Sequence, residues 1–220
     1  MQSRKLILIL CGLGVLLAFA LGIYVYQKQQ REAALLQAQA FSALLSRQDA
    51  PTYGPATAKV RIVEFFDPAC ETCRAFYPLV KKIVDEQGGK VQLVVRYLPL
   101  HKGSDVAVRI LEAARQQNLF WPVTEATLRA QPMWASHGNP EPEHIWEFLG
   151  PTGLDIPRAR EDARSPAAQA ALDQDIAAAV ALKVTKTPGF FVNGRPLTEF
   201  GPEQLKALVA TEVQRAYGQP

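Results

Sequence analysis

The chain has 220 residues, 48% of them hydrophobic, with a net charge of +3, enough for one domain of good size with a packed core and an appendage. Acid and base nearly balance, and no basic run or aromatic stripe stands out, which argues against nucleic-acid binding. Three cysteines are too few, and odd in number, for a secreted fold held together by disulfides.

Leu6 to Tyr26 reads LILILCGLGVLLAFALGIYVY and carries no charge. About 21 helical residues make roughly 31 Å, enough to cross a bilayer. Ala18-Phe19-Ala20 resembles a signal-peptide cleavage site, but apolar LGIYVY continues past it, so an uncleaved signal-anchor is expected. Arg4 and Lys5 before the run balance Lys28 and Arg31 after it, so flanking charge does not set the orientation. The expectation is a cytoplasmic tail at 1–5 and one transmembrane helix at 6–26, containing an inert Cys11. The soluble domain then faces the periplasm or outside from the inner (cytoplasmic) membrane. Residues 27–53 read as stalk helix and linker. Ala34, Ala38, Phe41 and Leu45 share a helical face, and two prolines and a glycine between Asp49 and Pro55 mark a boundary.

Val60 to Phe66 (VRIVEFF) is rich in β-branched and aromatic residues and predicts a buried strand. Cys70 to Gln87 predicts a helix ended by Gly88-Gly89, and Val91 to Leu98 a second strand. Strand, helix and strand make a unit whose two strands lie parallel. Asp105 to Asn118 and Pro122 to Ala130 predict helices, with weaker signals at Glu141 to Leu149 and Pro157 to Arg164. Ser165-Pro166 is an N-cap followed by proline, opening an alanine-rich helix to about Leu182. Asn193-Gly194 is a hairpin turn between strands at Gly189 to Val192 and Pro196 to Thr198, and Gly201-Pro202 opens a last helix. The order is β-α-β, a helical block, then β-β-α.

Cys70 and Cys73 can be read as a metal clip, a staple or a redox pair. A closed zinc site needs about four ligands, and no second CxxC or closely spaced histidines accompany this pair. A bridge over so short a loop adds little to fold stability. In the redox reading, Cys70 falls where a strand gives way to a helix, whose free N–H groups favour a thiolate. Cys73 follows one turn later on the same face, where the two sulfurs can close a strained, easily reduced ring. Far along the chain lies Lys186-Thr187-Pro188. A cis Thr187–Pro188 bond beside the sulfurs would leave the Thr187 backbone free to pair with an extended substrate peptide. Glu64, the one acid in an apolar strand, is a candidate buried carboxyl for proton transfer. Asp67 is expected to shape the turn before the helix, His101 to end a strand, and the three tryptophans to fill the helical block. Lys81 and Lys82 are expected on the solvated surface.

VEFFDPACETC, the strand ending YLPLH, the helical insertion and KVTKTPGFFVNGRPL together resemble the DsbA-like thiol-disulfide oxidoreductases of the thioredoxin superfamily, over about residues 54–217. The resemblance implies an α/β thioredoxin fold split into 54–101 and 184–217 by a helical insertion at 102–183, here preceded by the transmembrane helix. It also implies work outside the cytoplasm and no bound cofactor, and with no further ligand pair in the chain no metal is expected either. Cys70 matches the family's exposed attacking cysteine, Cys73 its buried resolving partner, Pro188 the cis-proline with Thr187 before it, and Glu64 the buried acid. Pro78 falls where the active-site helix is often kinked. The dipeptide Glu71-Thr72 departs from the Pro-His of strongly oxidising members. A carboxylate there should repel a thiolate, which Lys186 could partly offset. Glycine follows Pro188, where threonine is common.

The function expected is exchange of a Cys70–Cys73 disulfide with cysteines of substrate proteins, as an oxidant served by a membrane thiol oxidase. A reductase or isomerase served by a membrane reductant, a CxxC copper- or zinc-binding protein, and a non-catalytic binding module are the alternatives. The dipeptide predicts a potential between strong oxidants and thioredoxin, roughly −120 to −270 mV.

Overall fold

The computed structural model describes residues 2–218, with side chains for residue 19 and residues 21–218. Most of the expected spanning segment, Cys11 included, lies outside the described side chains, as does Met1 of the expected tail. Among the described residues no helix is long and apolar enough to cross a membrane. The chain divides into two units, Met1–Ala43 and Leu44–Pro220. The first is one continuous helix, α1 (Gln2–Leu44), whose described side chains up to Ala43 are exposed. Leu45, read onto the helical face of the stalk, therefore falls just beyond the helix. It is buried in the core of the second unit.

The second unit begins before the expected linker ends. A two-residue strand, β1 (Thr52–Tyr53), falls inside the stretch read as a boundary and pairs antiparallel with the later strand Val91–Tyr97. Its length explains the omission, since two residues show no periodicity. The expected unit follows as β2 (Val60–Phe66), α2 (Glu71–Glu86) and β3 (Val91–Tyr97), with β2 and β3 parallel in the register Val60↔Val91 to Phe66↔Tyr97. The helical block comprises α3 (Ser104–Gln116), α4 (Phe120–Arg129), α5 (Gln131–Trp134), α6 (Ile156–Asp162) and α7 (Pro166–Ala181). Glu141 to Leu149 forms a 3₁₀ segment, Pro142–Phe148, and not an α-helix. The Ser165 side chain accepts the Ala168 N–H and caps α7 as expected.

The chain then returns as β4 (Gly189–Val192), β5 (Arg195–Pro196) and α8 (Pro202–Tyr217). Asn193 and Gly194, with φ of 47° and 81°, make the hairpin turn, and β5 starts at once after it. That moves the second strand one residue upstream of its expected start. Asn193 also accepts the Arg61 N–H at 2.9 Å, tying the turn to β2. The sheet order is β1-β3-β2-β4-β5, with β4 antiparallel to β2.

Alternation along β2 places Val60, Ile62 and Phe66 in the larger core, with α2, α8 and the helical block. Val63 and Phe65 enter a smaller core on the other face, with Ala178 and Ala179 of α7. Both faces of the sheet are covered, so its central strands read as nearly continuous apolar runs. Four charges are buried beside it. Arg47 meets Glu112 at 3.0 Å, Arg96 of β3 meets Asp175 of α7, and Asp175 also accepts the Tyr97 N–H at 2.9 Å. The two cations and two anions balance, which is what lets them stay out of water.

Candidate functional site

The turn between β2 and α2 is organised by Asp67, fully buried. One carboxylate oxygen accepts the Ala69 N–H at 2.9 Å and the Ser104 hydroxyl at 2.5 Å. The other accepts the Leu100 N–H at 2.8 Å and the His101 N–H at 3.1 Å, and faces His101 Nδ1 at 2.7 Å. Asp67 does shape the turn, as expected, and it also stitches the loop after β3 onto it. His101 lies beyond the end of β3 and belongs to this cluster.

Cys70 is the N-cap of α2, with extended φ and ψ of −73° and 119°. Its sulfur takes the capping place usually held by an oxygen, accepting the Cys73 N–H at 3.4 Å. Cys73, three residues on, receives the Asp67 N–H at 3.5 Å on its own sulfur. Both thiols are free. Cys70 is only 6% exposed and Cys73 fully buried. The attacking position is thus less open than the resemblance implied, although it is still the outer of the two.

Three titratable groups on this side of β2 have separated protonation preferences. The Cys73 thiol, its backbone N–H, the Thr187 side chain and the Thr72 N–H hold the Cys70 sulfur as thiolate, lowering its pKa to about 5 against the opposing effect of burial. The Thr187 carbonyl, 3.4 Å from the sulfur, can only accept and so favours the thiol; the donors outweigh it. Burial, then the neighbouring Cys70 and Glu64, push Cys73 far up, so it stays protonated. Glu64 is 3% exposed, and its Oε1 has no hydrogen-bond partner. Burial first, and Cys70 second, raise it to about 8. It lies between Val95 of β3 and Phe190 of β4 in the sheet register, and its even position turns it toward the core that holds Cys73.

The dipeptide residues Glu71 and Thr72 are exposed at the helix tip. The Glu71 carboxylate meets His137 at 3.6 Å in the open, where water screens its repulsion of Cys70. Backbone donors at the cap therefore outweigh the charge that the sequence brings next to the sulfur. Lys186 is exposed, and it is not among the groups that lower Cys70, so the offset expected from it is not seen. The Thr187–Pro188 bond is cis, and Pro188 is buried. Gly189 follows because a Cβ there would sit 2.8 Å from the Val184 methyl and 3.2 Å from the Lys186 carbonyl. Pro78 lies inside α2, which runs on through it to Glu86.

Some neighbours were not foreseen. Gln131, from the helical block and 2% exposed, donates from Nε2 to the Pro68 carbonyl at 2.8 Å and the Cys70 carbonyl at 3.0 Å. Lys81, expected on the solvated surface, is half-buried. Its Nζ bonds Glu125 at 2.8 Å and sits over the Tyr53, Tyr77 and Trp121 rings, 4.7 Å from the Tyr53 centroid. Trp134 and Trp146 fill the helical block as expected, while Trp121 is half-buried and donates to the Thr52 carbonyl. Among the described residues no cluster of three or more His, Cys, Asp or Glu side chains is placed to hold a metal ion.

A thioredoxin family model matches residues 46–211. A thioredoxin-like oxidoreductase from Silicibacter pomeroyi DSS-3 is 29% identical and superposes with a TM-score of 0.67, covering 79% of this chain and 96% of that one. Oxidised BdbD from Bacillus subtilis, at 22% identity and a TM-score of 0.68 over 77% of this chain and 95% of its own, shares the fold. Among curated proteins, a Na(+)/H(+) antiporter NhaA from Herminiimonas arsenicoxydans is 35% identical over 144 residues, 66% of this chain. The match spans only 22% of that antiporter's length. The fold is thioredoxin-like, and the chain belongs to the thioredoxin family.

Proposed function

We propose that the protein exchanges a Cys70–Cys73 disulfide with cysteines of substrate proteins, working as a DsbA-like oxidant. One observation carries this reading: the Cys70 sulfur caps α2 and accepts the Cys73 N–H, which favours its thiolate, while Cys73, one turn away, is fully buried, which favours its thiol. A stabilised thiolate at Cys70 favours the reduced state and so makes the disulfide a stronger oxidant. A substrate thiolate attacks Cys70 Sγ and the Cys70–Cys73 bond breaks. Cys73 leaves with the electron pair and takes a proton, for which the protonated Glu64 is the nearby source. A second substrate thiolate then attacks the substrate sulfur of the mixed disulfide, releasing oxidised substrate and the Cys70 thiolate. The Thr187 backbone, beside Cys70, is the edge on which an extended substrate strand would pair.

The N-terminal apolar run supports a single-pass signal-anchor in the inner membrane with the domain in the periplasm, where disulfide formation suits the compartment. A membrane thiol oxidase would then return the pair to its disulfide. Oxidation of reduced ribonuclease, measured beside insulin reduction, tests the direction. Faster insulin reduction, with no ribonuclease oxidation, would reverse it to a reductase or isomerase. Cys70→Ser should abolish both activities, and retention of either would remove Cys70 from the reaction. A topology reporter fused after Pro220 should be active outside the cytoplasm, and activity only inside would overturn the placement.

A further inference from the structure

The end of β2 and the turn after it, residues 62–70, are buried, so a carbonyl in that turn needs a donor from the protein itself. Gln131, the first residue of α5 and 2% exposed, supplies two. One Nε2 hydrogen goes to the Pro68 carbonyl at 2.8 Å and the other to the Cys70 carbonyl at 3.0 Å. Both neighbours are acceptors, which fixes the orientation of the amide. Its Oε1 is buried with no hydrogen-bond partner. An unpaired buried oxygen destabilises the fold, so the contribution of this side chain lies in its two donors. Its base is firm. Trp134 of the same short helix is fully buried and donates to the Thr127 carbonyl of α4 at 2.9 Å.

The two bonds bear on the sulfur through the backbone of its own residue. The Cys70 N–H is bonded to the Asp67 carbonyl at 3.1 Å, which sets the peptide before Cys70. The Cys70 carbonyl accepts the Arg74 N–H at 3.1 Å as well as Gln131, which sets the peptide after it. With both peptides held, φ and ψ of Cys70 stay at −73° and 119°, and its sulfur points at the Cys73 N–H, 3.4 Å away. We propose that Gln131 is a positioning residue for the exchange reaction: reaching in from the helical block, it holds the Pro68 and Cys70 carbonyls and so keeps the Cys70 sulfur in its capping place. This rests on the thiol-disulfide reading above. Gln131 carries no proton or electron in the reaction. Without its amide hydrogens the Pro68 carbonyl is unpaired and the Cys70 carbonyl keeps one donor. The turn then relaxes, the bond that caps the thiolate weakens, and the thiol form of Cys70 gains.

The test is Gln131→Met, similar in length and without an N–H, in the full-length chain in detergent. Its companion is Ile145→Ala, which opens a cavity in the helical block at a fully buried side chain that takes no part in these bonds. Glu64, Asp67, Glu71, Cys73 and His101 are the same in both variants, so a moved profile reports the lost amide. In reduced Gln131→Met the half-point of Cys70 alkylation should rise by about half a pH unit or more, and glutathione should reduce the disulfide about 3-fold less readily. Ile145→Ala should lower the unfolding midpoint and leave both in place. An unmoved half-point in Gln131→Met, or an equal rise in Ile145→Ala, overturns the proposal, because Gln131 then matters to stability alone. If Gln131→Met does not fold, the wild-type chain decides: the NMR signals of the Gln131 side-chain amide should shift between the disulfide and dithiol forms, and identical signals overturn it. Ribonuclease oxidation by the wild-type chain reports on the exchange reaction separately. Activity with an unmoved half-point in Gln131→Met discards only this proposal, and inactivity discards the function beneath it.

Discussion

Replacing Glu64 with glutamine removes a buried acid whose cost to the fold depends on pH. In the folded chain its pKa is raised from the ordinary 4.5 to about 8, so the fold prefers the protonated form. Between those values the folded chain holds a proton that the unfolded chain has released. Stability from this group is therefore complete below about pH 4.5 and is lost as pH rises to about 8. With 1.36 kcal/mol per unit, the shift from 4.5 to about 8 removes about 3 kcal/mol between pH 5 and pH 8. The oxidised protein is the better sample, because the Cys70 thiolate, the second cause of the shift, is then absent and cannot titrate. Glutamine brings its own offset of about 1–3 kcal/mol for an imperfectly bonded buried amide, so the slope is the quantity to read. Guanidinium unfolding of oxidised wild type and Glu64→Gln at several pH values should give curves that converge or cross as pH rises. Parallel curves would refute the reasoning, showing that Glu64 is solvated or paired in the folded chain. If Glu64 also supplies the proton to Cys73, the variant should slow exchange most where wild-type Glu64 is still protonated, below about pH 8.

Iodoacetamide alkylation of Cys70 in the reduced chain should rise with pH to a plateau with its half-point near 5, where an ordinary thiol would have it near 9; a half-point near the ordinary value would remove the capping argument. Asp175→Ala leaves Arg96 buried without its counter-charge, while Arg47 keeps Glu112, and should cost about 3–5 kcal/mol in chemical denaturation, while a loss under about 1 kcal/mol would mean that water reaches the cluster. Gly189→Ala brings a methyl within 2.8 Å of Val184 Cγ1 and should cost about 1–3 kcal/mol and slow exchange by displacing the Thr187–Pro188 loop, with an unchanged stability showing that the loop gives way freely.

Much of this protein was legible in its local patterns. VRIVEFF and VQLVVRY show the near-continuous apolar character of strands covered on both faces, and they form β2 and β3. Asn193-Gly194 is the pair that tolerates positive φ at both positions, and it makes the hairpin. Cys70 and Cys73 are one helical turn apart by spacing alone, so their placement at the start of α2 followed once the strand before them was seen. Contacts between distant residues left no such pattern. Nothing in the chain ties His101 to Asp67, 34 residues away, or Gln131 to the Cys70 carbonyl, 61 residues away. Lys81 reads as one more surface lysine until three aromatic rings and Glu125 close around it.

By itself the sequence determined the elements, the βαβ unit and the pair of sulfurs at a helix start, because each depends on neighbours within a turn or a pleat. Only the tertiary structure decided which way protons are held. Burial of Glu64 and Cys73, the donors gathered on Cys70, and exposure of Glu71 arise when the sheet, the helical block and the Thr187–Pro188 loop close on one another. Dielectric and hydrogen-bond partners are properties of that closed arrangement, and no order of residues along the chain contains them.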